Sequence, residues 1–160
     1  MLIAEISDEE NFDGDRLDVL TDTVPDGILV ESLGLAGNTQ AREALCRILY
    51  QRPIPEAVPG IAAFLNDEDV DLREYALEAI STVLFLDDRL SDDVRTELGK
   101  KLLERLAVES NDGVLSTVVQ LLPFVLRGRA RQLLTELASH RDSRVRLQAR
   151  RGMAWLDAAV

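Results

Sequence analysis

The stretch Ile61-Ala-Ala-Phe64-Leu65-Asn-Asp67-Glu-Asp69-Val-Asp71-Leu72-Arg73-Glu-Tyr75-Ala76-Leu-Glu-Ala79-Ile80 decides the fold, because it reads as two short amphipathic helices joined by an acidic turn. Val58, Ile61, Phe64 and Leu65 share a face of the first helix. Leu72, Ala76, Ala79, Ile80 and Val83 share a face of the second, at the i, i+3, i+4, i+7 spacing of a helix packed on one side. Asp69 lies three residues before Leu72, where a short carboxylate accepts from the free N–H groups of the first turn and so starts the helix.

The unit recurs when other segments are matched on Leu72. Asn38-Thr-Gln-Ala41-Arg42-Glu-Ala-Leu45-Cys-Arg-Ile48-Leu49 and Asp142-Ser-Arg-Val145-Arg146-Leu-Gln-Ala149-Arg-Arg-Gly152-Met153 carry the cap, the Arg and the apolar columns. Asn111-Asp-Gly-Val114-Leu-Ser-Thr-Val118-Val-Gln-Leu121-Leu122 carries the cap and columns but has Leu115 where the Arg should be. The anchors 41, 72, 114 and 145 follow one another at 31, 42 and 31 residues. Val30 with Leu33, Ile61 with Phe64, Leu103 with Leu106 and Leu134 with Leu137 occupy matching places on the preceding helices. Four helix pairs in tandem predict an all-α protein built as an α-solenoid.

With these residues in register the chain resembles the HEAT repeat family, and more narrowly the short HEAT-like α-solenoids of bacterial type. The family pattern is an apolar first helix, an Asp in the turn, then Val-Arg-x-x-Ala. Asp69-Val-Asp-Leu72-Arg73-Glu-Tyr-Ala76 matches it, and Asp142-Ser-Arg-Val145-Arg146-Leu-Gln-Ala149 matches it best. The resemblance spans residues 26 to 160 and implies four repeats behind a short N-terminal cap at 1–25. It also implies that Asp69, Asp142, Arg42, Arg73 and Arg146 link neighbouring repeats, with a looser or differently packed junction at Asn111 and Leu115.

A chain of 160 residues with 46% hydrophobic content and a mean hydropathy of −0.02 is long enough to bury a sizeable core. The single cysteine, Cys46, has no intramolecular disulfide partner, and Met1-Leu-Ile-Ala-Glu lacks the basic start and long apolar core of a signal peptide. A reducing cytoplasm is the expected location. The longest uncharged run, Gly113 to Leu126, is shorter than the ~20 residues that span a bilayer and reads as a buried central helix. The net charge is −11, distributed unevenly: residues 1–26 hold nine acids against Arg16, whereas residues 127–160 hold eight Arg against three acids. Nucleic acid is disfavoured as the main ligand, because an acidic chain repels it at long range.

Along the chain, Asp15 to Val24 predicts a short helix with Leu17, Leu20 and Val24 inward, covering the open face of the first repeat. Pro53 and Pro55 end one helix and begin the next. Leu86-Asp-Asp-Arg-Leu-Ser91 is an inserted connection that explains the longer 42-residue interval, with Ser91 capping a helix from Asp92 to Val108. Pro123 predicts a kink or an early end to the third repeat's second helix.

Chemistry-bearing residues are few. Asp67, Asp69, Asp71 and Glu78 mimic part of a calcium loop, but Leu72 stands where that loop needs Gly, so the carboxylates read as capping groups. His140 aligns with Asp67 and reads as an exposed turn residue; Cys46, on a helix flank, reads as packing. With no cluster of metal ligands, nucleophile elbow or phosphate loop, neither metal, cofactor nor catalysis is expected.

The remaining signal is the outward face of the second helices, which line the concave side in the family the chain resembles. Its candidate partner-binding residues are Glu43, Arg47, Asp71, Glu74, Tyr75, Glu78, Gln120, Phe124, Gln148, Arg151 and Trp155, with Ser116 and Thr117 also facing outward. Aromatic side chains there are the kind that anchor interfaces. The leading expectation is a monomeric, non-enzymatic, acidic inhibitor of the immunity-protein kind, holding one protein partner such as a basic enzyme or toxin. The competing readings are a HEAT-like enzyme resembling DNA glycosylases or pigment lyases, favoured only by the Arg-rich end and Trp155, and a self-associating scaffold.

Overall fold

The computed structural model describes residues 2–6, 14–86 and 90–159; the acidic residues 7–13 and Asp87 to Arg89 of the inserted connection lie outside that set. Among the described residues every regular element is helical: α1 (Leu2–Ile6), α2 (Gly14–Thr23), α3 (Asp26–Leu35), α4 (Thr39–Gln51), α5 (Val58–Ile61), α6 (Val70–Leu86), α7 (Asp92–Val108), α8 (Asp112–Leu126), α9 (Ala130–Leu137) and α10 (Ser143–Ala158). No helix is long and apolar enough to cross a membrane. The chain forms two compact units, residues 1–90 and residues 91–160.

In the first unit α4 packs along α6, and α3 packs against α4 and α5. Its core is the predicted apolar column set, with Leu45, Ile48, Leu49, Ile61, Leu65, Leu72 and Ile80 fully buried. Leu2 and Ile6 of α1 are buried against α3 and α4, and Leu17 and Leu20 of α2 are buried where α2 meets α4. These two N-terminal helices therefore cover apolar surface that the first helix pair leaves open. The first helix of the second repeat is broken into a 3-10 turn at Pro55–Ala57, the single α-turn α5 and a 3-10 turn at Ala62–Asn66. Pro55 and Pro59 cannot donate to a continuous ladder, which is why the helix is broken, while Val58, Ile61, Phe64 and Leu65 stay buried.

In the second unit α8 is the central element, packed against α7, α9 and above all α10. Val114, Val118, Val119, Leu121 and Leu122 are fully buried on it. Contrary to the expectation of an early end, α8 continues through Pro123 to Leu126, and the Arg127 N–H bonds back to the Pro123 carbonyl. Pro123 serves as a packing surface. A Cβ added at Gly152 of α10 would lie 2.8 Å from Pro123 Cγ and 3.1 Å from Leu134 Cδ1. The proline ring cannot rotate away, so Gly152→Val is expected to cost about 1–3 kcal/mol, measured as a lower thermal midpoint.

The anchors of all four pairs, Ala41, Leu72, Val114 and Val145, are at most 1% exposed. Each is preceded by the same cap: Asn38, Asp69, Asn111 and Asp142 accept from the N–H groups of Ala41, Leu72, Val114 and Val145 at 2.8, 3.2, 3.0 and 3.2 Å. At Asp142, partial burial raises the carboxyl pKa. The N–H groups of Val145 and Arg144 and the Arg144 guanidinium outweigh it and hold the group below its ordinary value. This contribution to stability is present above the unfolded carboxyl pKa and is lost as pH falls through the folded one.

A second recurring bond lies behind three of the four anchors, the exception being Val114, which Leu115 follows. Arg42 Nε donates to the Ala36 carbonyl at 3.0 Å, Arg73 Nη1 to Asp67 at 2.9 Å, and Arg146 Nη1 to His140 at 2.8 Å, always to the carbonyl six residues upstream. Arg73 and Arg146 thus tie down their own turns. Arg42 also reaches the turn before α6, donating to Asp67 Oδ2 at 2.6 Å, whereas Asp69 and Asp142 cap their own helices.

A third recurrence was not legible in advance. Asp67 Oδ1 accepts from Asp69 N–H at 3.0 Å, Glu109 Oε1 from Asn111 N–H at 2.8 Å, and His140 Nδ1 from Asp142 N–H at 3.1 Å. All three sit five residues before an anchor and accept from the cap residue itself. His140 is accordingly half-buried and engaged, not a free turn residue. His140→Ala is expected to cost about 1 kcal/mol and His140→Asp to recover most of it, as measured by denaturant unfolding.

Candidate interaction faces

In the first unit, the side of α6 away from Leu72, Ala76, Ala79 and Ile80 carries Asp71, Glu74, Tyr75 and Glu78. Their spacing makes one continuous stripe along the helix. Asp71 and Glu78 are exposed, and Glu74 and Tyr75 are half-buried. On the neighbouring α4, Glu43 and Arg47 are half-buried and lie 3.8 Å apart, a loose, solvent-screened pair that contributes little.

The acidic turn before α6 is occupied by the protein's own donors. Asp67 binds Arg42 and the Asp69 N–H, and Asp69 Oδ1 accepts from the Asp71 N–H at 2.8 Å as well as from Leu72. Asp69 caps α6, and Asp67 holds the turn against Arg42.

In the second unit, Gln120 and Phe124 of α8 and Gln148 of α10 are half-buried, while Arg151 is exposed and Trp155 is 41% exposed. Two residues read from sequence as separate anchors are brought together: the Phe124 and Trp155 rings are 4.7 Å apart and tilted by 43°. The pair packs where α8 meets α10 and leaves a large part of the indole accessible. Ser116 does not face outward as expected; it is 8% exposed, because the nearly wholly apolar α8 is covered on more than one side. Thr117 is half-buried.

Cys46 is fully buried in α4, not on a flank, and burial, with the charge of Glu43, pushes its thiol up to about 12. A thiol so held is inert as a nucleophile. Thiol reagents are expected to label it only at the rate of unfolding. Its folded pKa exceeds the unfolded value of 9.0, so its contribution to stability is present below pH 9 and declines between about pH 9 and 12.

Arg52 is a structural residue that motif reading passed over. It follows α4, donates to the Thr21 and Val24 carbonyls at 2.7 and 2.6 Å, and pairs with Asp26. The end of α2 and the start of α3 are thereby fixed to α4. Only its place next to Pro53 marked it, since its partners are 26 to 31 residues away.

Charge divides with the units. Residues 1–90 hold twenty acids and six bases, whereas residues 91–160 hold nine acids and twelve bases. Among the described residues no three His, Cys, Asp or Glu side chains are grouped to hold a metal ion. Comparison of the chain with family models, with curated proteins and with solved structures gives no match.

Proposed function

We propose that the chain is a HEAT-like repeat protein of the α-solenoid class that works by binding, without catalysis, and that it captures and blocks one protein partner with a basic surface. The observation that carries this reading is the α6 stripe of Asp71, Glu74, Tyr75 and Glu78, beside Glu43 of α4: four carboxylates and a phenol on one face that the core does not use. The excess of fourteen acids over bases in residues 1–90 adds a field that steers cationic partners inward.

Charge reversal tests it. Glu74→Lys with Glu78→Lys is expected to weaken capture of the native partner by about tenfold or more, raising dissociation as well as slowing association, with the thermal midpoint nearly unchanged. Glu104 is an exposed residue of α7 and serves as the control; its reversal should leave capture intact. A result in which Glu104→Lys abolishes capture and the double reversal does not would remove the α6 face from the function.

The nucleic-acid reading draws on the Arg-rich second unit. A DNA titration at low salt separates it from the first, because phosphate contacts are strongest there.

A further inference from the structure

Within the second unit, α7, α8, the 3-10 turn Arg127–Arg129 and α9 border an open cleft of about 800 Å³. Leu103, Val125, Leu126 and Leu133 supply its apolar wall, and Arg95, Lys100, Arg127 and Arg129 supply four cations against one lining carboxylate, Asp92. The volume is that of a small-molecule site, and such sites combine an apolar body with a few converging polar groups.

Of these cations Arg127 and Arg129 are incompletely neutralised. Arg127 reaches Asp92 only at 3.8 Å, with both side chains largely in solvent, and Arg129 has no ion-pair partner among the described residues. Lys100 is held by Glu97 at 2.5 Å, and Arg95 donates to the Phe124 carbonyl at 3.1 Å, which anchors its guanidinium at the cleft.

The backbone supplies an independent sign. Arg127 has φ 53° and ψ −135°, the one positive-φ residue among those described that is not glycine. Glycine would adopt this conformation without strain, and glycine follows at position 128. An arginine in a strained conformation beside a cleft points to a role for its side chain in binding.

From the cleft and this strain we infer a second site, independent of the α6 face, for a phosphate monoester carried on an aliphatic body. The guanidinium forks of Arg127 and Arg129 receive the phosphate, and the leucine-lined wall receives the chain. No aromatic ring lines the cleft among the described residues, so it offers no stacking platform for a nucleobase. The same chemistry comes from a soluble alkyl phosphate or from the headgroup of an anionic phospholipid.

Calorimetric titration of the full chain at low salt with n-octyl phosphate, and separately with inorganic phosphate, tests the site. Octyl phosphate is expected to bind, inorganic phosphate to bind more weakly, and Arg127→Ala with Arg129→Ala to weaken octyl phosphate about tenfold or more. Arg127→Gly is the decisive variant: it should raise the thermal midpoint by about 2–4 °C through relief of strain while weakening binding. Co-sedimentation with phosphatidylcholine vesicles containing phosphatidic acid assigns the membrane source; binding confined to octyl phosphate in solution assigns the soluble one. Undiminished affinity in the double variant, no binding of octyl phosphate at low salt, or binding of an oligothymidylate in its place would overturn the inference.

Discussion

Leu72→Asp is expected to abolish cooperative unfolding under native conditions, and Val145→Asp to do the same. Both positions are repeat anchors, 1% and 0% exposed, each in the first turn of a helix whose cap accepts from its own N–H. An aspartate there would bury a charge with no partner, at a cost of several kcal/mol against a total stability of roughly 5 to 15 kcal/mol. Circular dichroism during heating should show loss of the sigmoidal transition in either variant. An unchanged midpoint would mean that the four-fold register on which the fold rests is misread. The two substitutions also probe the two compact units separately, since Leu72 belongs to one and Val145 to the other.

Glu109→Ala is expected to cost about 3–5 kcal/mol, an effect far beyond that of a surface carboxylate. The third pair lacks the Arg that ties down the turn in the other three, and Leu115 in its place is buried in the core. Glu109 takes over the turn. Its side chain is fully buried, and its Oε1 accepts from Ser110 N–H at 2.9 Å and Asn111 N–H at 2.8 Å. Its Oε2 lies 3.0 Å from Arg105 Nε, a buried nitrogen with no hydrogen-bond partner, so the two groups attract as charges without an aligned bond. Removing the carboxylate strands a largely buried guanidinium and frees two backbone donors at once. Glu109→Gln keeps an acceptor for those donors and should lose less. A loss below about 1 kcal/mol in urea unfolding of the Ala variant would show that Arg105 escapes to water, leaving the pair structurally idle.

The sequence alone determined what is local. Helix pairs, caps and anchors depend on the 3.6-residue period and on acceptors within three residues of a helix start, so Asn38, Asp69, Asn111, Asp142 and Ser91 could be assigned from spacing. The carboxylate stripe of α6 was legible for the same reason: once Leu72, Ala76 and Ile80 face inward, Asp71, Glu74 and Glu78 have nowhere else to point. Only the tertiary structure decided which distant side chains meet. The clasp of Arg52 on α2, the Arg42–Asp67 link, the stacking of Phe124 on Trp155 and the Gly152–Pro123 contact each join residues 25 or more positions apart. Their pairing follows from where one helix crosses another and which rotamers the crossing allows, and periodicity along a single helix carries no record of either. Ser116 and Cys46 show the same limit from the other side: a helix wheel ranks faces by hydrophobicity, whereas burial is set by how many neighbours arrive, and α4 and α8 receive them on more than one side.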